Sequence, residues 1–209
     1  MKLVNKYLLK KFGGKIISKD ELKAVGEKFG VRDIDKWLNY LQFKGYVIRI
    51  FRGVYYVKTL EEFLSNSQPS VYELIAMVME KGTLGWYFGL FTALRFNGVT
   101  HEYFTKIFVI SDTVKKTKPI KIAGETVEFI KIKPALTKFG IKQQGVIKYS
   151  NLEKTLLDFI YLANYRSISK ELALKTFKEY LPRADKRVLK RYVKDYPRSV
   201  LKVVEAYEP

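Results

Sequence analysis

The run Asp33–Lys58, DIDKWLNYLQFKGYVIRIFRGVYYVK, decides how the rest of the chain is read. Ile34, Trp37, Leu38 and Leu41 stand at i, i+3, i+4 and i+7, which makes one apolar stripe at helical period. Arg32, Lys36, Asn39 and Gln42 fall on the polar side. Gly45 ends the helix, as a residue free to take positive φ does. Two short runs follow, Tyr46–Phe51 and Val54–Val57, rich in β-branched and aromatic residues and hinged at Arg52-Gly53. That pattern predicts a tight hairpin.

The residues in front of this run complete a recognisable order. Residues 2–12 read as a helix with Leu3, Tyr7 and Leu8 inward, stopped by Gly13-Gly14. Ile16-Ile17 is a short extended piece. Ser18 with Glu21 forms a capping box, so a second helix starts at Lys19, buries Leu22, Val25 and Phe29, and closes at Gly30. Asp33 caps the third helix. Helix, extended piece, helix, turn, helix, hairpin is the order of a winged helix-turn-helix, here over residues 1–58. In such a module the third helix enters the major groove and the hairpin lies along the DNA backbone. Trp37 and Leu41 then belong to the core. Lys36 and Asn39 are placed to read base edges, Asn toward adenine and Lys toward guanine. Arg32, Lys44, Arg49 and Arg52 suit phosphates, which set position and not sequence. The competing reading of Arg49 and Arg52 is solvated charge that discourages edge pairing of the hairpin.

Composition agrees. The 209 residues carry 39 Lys+Arg against 21 Asp+Glu, a net charge of +18, and residues 1–58 hold half of that surplus. Such a surplus favours a polyanionic partner through counterion release. A lysine-rich surface adapted to heat is the other explanation. Apolar residues at 47% and aromatics at 15% suffice for a packed core. There is no cysteine, which removes disulfides, thiolate chemistry and cysteine-based zinc sites together. No apolar run approaches the roughly 18 residues of a membrane span, and the basic start MKLVNKYLLKKF lacks a signal-peptide pattern. The expected location is the cytoplasm, with no membrane association.

Thr59–Ser70 reads as the boundary, with a helical turn at Leu60, Phe63 and Leu64 followed by linker composition over Ser65–Pro69. Ser70 and Glu73 cap a new helix with Tyr72, Ile75, Ala76 and Met79 inward. Trp86–Val99 is dense enough in Phe and Leu to be a helix buried on most sides. Lys106–Ser111 is a buried strand; Ile120–Ile122 and Thr126–Ile132 form a hairpin around Gly124; Gly145–Tyr149 is a further strand. Ser150 and Glu153 are another capping box, opening a helix through Leu162. Ser169–Tyr180, with Leu172, Leu174 and Phe177 inward, Asp185–Lys194 and Pro197–Ala206 complete the chain as helices. The expected fold class is α+β: a winged helix-turn-helix at 1–58, a linker at 59–70, a mixed α/β domain at 71–165, and a helical C-terminal segment at 166–209. Arg183, Lys186, Arg187, Lys190, Arg191 and Lys194 give that segment a basic face, either a longer DNA footprint or a solvated helix surface.

The order of motifs across residues 18–163 resembles the AbiEi family of bacterial and archaeal antitoxins. The residues that carry the resemblance are the wing-like Gly45–Val57 and Trp86-Tyr87 leading into Phe91–Leu94 and Asn97-Gly98-Val99. The strand Phe108–Ser111, the hairpin Ile120–Phe129, Phe139-Gly140 and Ser150–Asp158 complete the set. The resemblance implies a type IV antitoxin encoded beside a nucleotidyltransferase-like toxin. Such a protein represses its own promoter by binding inverted repeats with the N-terminal domain, with paired copies on DNA. Its C-terminal domain is implicated in neutralising the toxin, without a stable complex being required, and assists DNA binding. The family often places a Ser-His pair before the Ala-Leu helix. Tyr87-Phe88-Gly89 stand there instead, so a stand-alone regulator without a toxin partner remains the alternative.

Enzyme chemistry finds little support, and no catalytic residue, metal or cofactor is expected. The lone histidine, His101, has no cysteine to join it in a usual zinc site. Asp112, Glu128 and Lys131 faintly resemble the acid–acid–lysine set of metal-dependent nucleases. Residues three apart on a strand point to opposite faces, however. No glycine-rich phosphate loop is present.

Overall fold

The computed structural model describes residues 2–82, 85–102, 104–165 and 167–207. The chain is mixed α+β and divides into two compact units. One is Met1–Lys81 with Ile122–Gly124; the other is 82–121 with 125–209.

The first unit begins with α1 (Leu3–Phe12), β1 (Lys15–Ser18), α2 (Lys19–Lys28) and α3 (Ile34–Phe43). It continues with β2 (Val47–Phe51), β3 (Val54–Val57), α4 (Leu60–Leu64) and α5 (Val71–Gly82). The three strands form one antiparallel sheet in the order β1-β3-β2. Ser18 and Glu21 make the expected capping box, and the Asp33 side chain accepts from Lys36 N at 2.9 Å. Leu8, Ile17, Leu22, Trp37, Leu38, Leu41, Val47 and Val57 form the core, so the apolar stripe of α3 is buried as its spacing predicts. Gly53, at φ +76°, supplies the left-handed residue of the two-residue turn between β2 and β3.

Two expectations change here. Helix α1 turns Val4, Asn5, Leu8 and Leu9 inward and leaves Leu3 72% exposed. Its face is rotated because Asn5 belongs to the core, where its carbonyl accepts the Trp37 indole N–H at 3.2 Å. The helical turn expected at Leu60, Phe63 and Leu64 is present as α4, and the change concerns where the units divide. Thr59 and Glu62 form a capping box for α4, and Phe63 stacks on Tyr46 with ring centres 4.2 Å apart. Helix α5 groups with the first unit, so the chain divides after Lys81.

The second unit contains β4 (Trp86–Phe88), α6 (Leu90–Phe96), β5 (Lys106–Ser111), β6 (Ile120–Ile122) up to Lys121, and β7 (Glu125–Lys131). After these come β8 (Ile141–Gln144), β9 (Ile147–Ser150) and the helices α7 (Leu152–Asn164), α8 (Lys170–Tyr180), α9 (Lys186–Tyr192) and α10 (Arg198–Tyr207). Its sheet has the order β6-β7-β5-β4-β9-β8, with β5 parallel to β7 and β4 parallel to β9. Helix α7 is buried on nearly every side. Phe177, Leu189, Val193, Tyr196, Val200 and Val204 of the following helices share its core, so residues 166–209 do not form a separate segment.

The stretch 86–99 is not one helix. Trp86, Tyr87 and Phe88 are buried as the strand β4, and α6 starts only after Gly89. A short continuous apolar run fits a buried strand as well as a buried helix, and pairing with β5 decides it. Ser150 does not cap α7. Asn151 does, accepting from Lys154 N at 3.0 Å, while Ser150 bonds the Thr155 hydroxyl at 2.7 Å and Glu153 accepts from Asp185 N. Helix α8 buries Ala173, Thr176, Phe177 and Tyr180, and leaves Leu172 exposed.

Candidate nucleic-acid interface

The polar ridge of α3 separates two grooves. The larger, about 620 Å³, lies between α3 and the β2–β3 hairpin. Asn39 and Gln42 enter it from the helix, and Arg49 and Arg52 from the hairpin. Asn39, Arg49 and Arg52 are exposed, and Gln42 is half-buried. Helical spacing puts Asp35 one turn before Asn39 on the same side. Its carboxylate is held by the Lys19 ammonium at 2.7 Å. That contact keeps the Lys19 ammonium above the ordinary lysine range. The backbone N–H of Lys19 also donates to Gly53 O at 2.8 Å, which ties the start of α2 to the hairpin turn.

The other groove, about 590 Å³, lies on the opposite flank and is lined by Arg32, Lys36 and Tyr40 together with the start of α1. The structure therefore brings Asn39 together with Arg49 and Arg52, and Lys36 together with Arg32. Lys36 and Asn39 share the exposed ridge but face different flanks. Lys44, at the C-cap of α3, is exposed and lies outside both grooves, with its ammonium 5.4 Å from the Phe43 ring.

Sequence reasoning passed over three features of this face. Gln42 was visible as a polar residue at the right period, but Lys19 was not, because its approach to α3 depends on how α2 packs. The third is the pair of exposed rings on α3: Phe43 is 84% exposed and Tyr40 about a third. Neither has the regular spacing that marks a buried stripe.

The basic C-terminal residues are all exposed, but they are not alike. Arg183 donates to the carbonyl of Val99, so its head group is in use. Lys186, Arg187, Lys190 and Arg191 lie on α9, and Lys194 follows it in a short 3-10 turn. Asp185 caps α9 through Arg187 N and Val188 N.

Other polar groups of the second unit serve its interior. Lys154 and Asp158, one helical turn apart on α7, are fully buried as an ion pair at 3.1 Å. Tyr196 O–H donates to Asp158 Oδ1 at 2.6 Å, Tyr87 O–H donates to Oδ2 at 2.8 Å, and Lys154 Nζ also donates to the Tyr196 oxygen at 3.1 Å. Burial raises both phenols well above their usual range, with the Asp158 charge acting in the same direction, so they stay protonated as donors. Burial pushes the Lys154 ammonium down, and Asp158 opposes that. Gly140, at φ +65°, packs where a Cβ would sit 2.8 Å from the Lys154 side chain. Glu128 pairs with Lys106 at 3.0 Å. Among the described residues no three His, Cys, Asp or Glu side chains gather as a metal site, and no helix is long and apolar enough to cross a membrane. His101 is exposed beside Glu102 in a shallow hollow with Arg95 and Thr100.

No protein-family model matches the chain, and no curated protein matches it in sequence. The fold is similar to the crystal structure of the RV2827C protein from Mycobacterium tuberculosis, with a TM-score of 0.59 and 13% sequence identity. The match covers 98% of this chain and 74% of that one. At such an identity the likeness is one of fold.

Proposed function

We propose that the first unit is a winged helix-turn-helix that binds double-stranded DNA, and that the chain is a cytoplasmic transcriptional regulator. The observation that carries this reading is the groove where Asn39 and Gln42 of α3 meet Arg49 and Arg52 of the hairpin. A helix ridge bearing amide side chains matches base edges in the major groove. Arginines on an adjoining hairpin match the phosphates beside it. The order β1-β3-β2 with three helices supports the same assignment. Lys36 and Arg32 extend the contact on the other flank of α3, and Lys44 extends it at the helix end. The α9 cations offer a further phosphate surface.

Within that reading we infer an autorepressing antitoxin of the AbiEi type, acting at promoter inverted repeats and counteracting a nucleotidyltransferase-like toxin. It rests on the sequence resemblance over residues 18–163. One observation favours a stand-alone regulator: Tyr87, in the region where the family often has its Ser-His pair, is wholly buried and committed to Asp158.

Titration of the full chain with its own upstream duplex at low ionic strength tests the DNA reading. Saturable binding is expected, tighter than to unrelated duplex of equal length. No association at all would leave the charge surplus as a heat-adapted exterior. Rescue of growth when the chain is co-expressed with a toxin encoded beside it separates the antitoxin from the stand-alone regulator.

A further inference from the structure

The second unit carries a basic groove of about 650 Å³, built from residues outside the α3 face. The loop after β5 contributes Lys115 and Lys116. The end of β7 and the residues after it contribute Lys131 and Lys133. All four are exposed. Among the described lining residues the one carboxylate is Glu128, and it is paired with Lys106 at 3.0 Å. Tyr161 on the last turn of α7 and Tyr165 at its C-cap line the groove as well. Tyr161 is buried, and its ring lies 4.9 Å from that of Tyr165, a residue 57% exposed.

Each part suits a different portion of a nucleotide. Lysines on two walls neutralise phosphates, and an exposed ring held in place by a buried one offers a flat surface for a base. The volume falls within the rough 300–1,000 Å³ range of small-ligand sites. A duplex keeps its base faces stacked inside the helix, whereas a single strand presents them. We propose that this groove binds a single strand of nucleic acid, with phosphates on Lys115, Lys131 and Lys133 and a base stacked on Tyr165. The site is independent of the α3 face and stands whether or not that face binds duplex.

The test is fluorescence anisotropy of labelled ten-nucleotide oligouridine and oligothymidine with the full chain, in excess unlabelled duplex. Binding is expected to persist under that excess. The combined Lys115→Ala, Lys131→Ala and Lys133→Ala variant should weaken it about tenfold or more and make the salt slope shallower by about 2. Tyr165→Ala should weaken it about fivefold, while Tyr165→Phe, which keeps the ring, stays near wild type. Arg49→Ala with Arg52→Ala should leave strand binding unchanged. Circular dichroism melting checks that each variant folds, and the surface lysine variants keep the test open if Tyr165→Ala does not. The proposal is overturned if Lys10→Ala, Lys170→Ala and Lys175→Ala together cause an equal loss. It is overturned too if duplex displaces the strand, or if uridine monophosphate competes as well as the decamer.

Discussion

The two units use charge in opposite ways. In the first, Arg49, Arg52 and Lys36 stay at the surface, and the Lys19–Asp35 pair sits open to water. In the second, Lys154 and Asp158 are fully buried, ringed by Tyr87, Tyr196 and Phe139. Exposed pairs contribute little to stability, because water screens them and holding long side chains costs entropy. A buried pair differs: both ions have lost their hydration, so each requires the other. The first arrangement leaves charge available to a partner. The second spends it on fixing how α7, β4 and the segment after α9 pack.

The largest effect expected from this contrast lies in the buried pair. Lys154→Met or Asp158→Leu alone should cost about 3–5 kcal/mol, since each strands a charge in the core. The double variant should recover much of that loss. Denaturant unfolding of the full chain measures it, and two mild single variants would end the contrast. Base reading comes next. Lys36→Ala with Asn39→Ala should cost specific binding about 1–3 kcal/mol and spare non-specific binding. Equal losses on both DNAs would mean that the reading face is elsewhere.

A smaller effect is expected at the hairpin. Arg52→Ala should weaken binding to any duplex and make the salt slope shallower by about one, without moving the melting curve. The smallest concerns Asp35, a carboxylate in the groove proposed to meet phosphates. Asp35→Asn should tighten non-specific binding slightly and leave stability unchanged. Lys19 has its pKa raised from 10.5 by Asp35. The contribution of that pair is therefore complete below the ordinary value and is lost only as pH rises past the raised one. Between pH 6 and 8, a window of about two units around neutrality, the effect of breaking it should be small and should not change with pH. A response in that range would place the pair in a less watery setting than its exposure indicates.

The difference between the units also explains what was legible. In the first unit α1, α2, α3 and α5 each bury one face, so periodicity in α3 and alternation in the hairpin point directly at the surface. The α1 face was the exception, because a buried asparagine breaks the apolar code. In the second unit the central elements are covered on both sides. Trp86–Phe88 read as part of a helix, since a continuous apolar run carries no period. Lys154 and Asp158 drew no reading as a buried pair. The available sign was that Leu156, Leu157, Phe159 and Ile160 around them leave α7 no polar face.

What the order of residues determined alone is therefore local: where helices start and stop, where the hairpin turns, and which side of α3 is polar. Caps, glycines and side-chain spacing act within a few residues, so they can be read along the chain. The meeting of Asn39 with Arg49 and Arg52, the burial of Lys154 against Asp158, and the gathering of lysines around Tyr165 were decided only by tertiary packing. Each joins groups from separate elements, and only the folded chain brings those elements together.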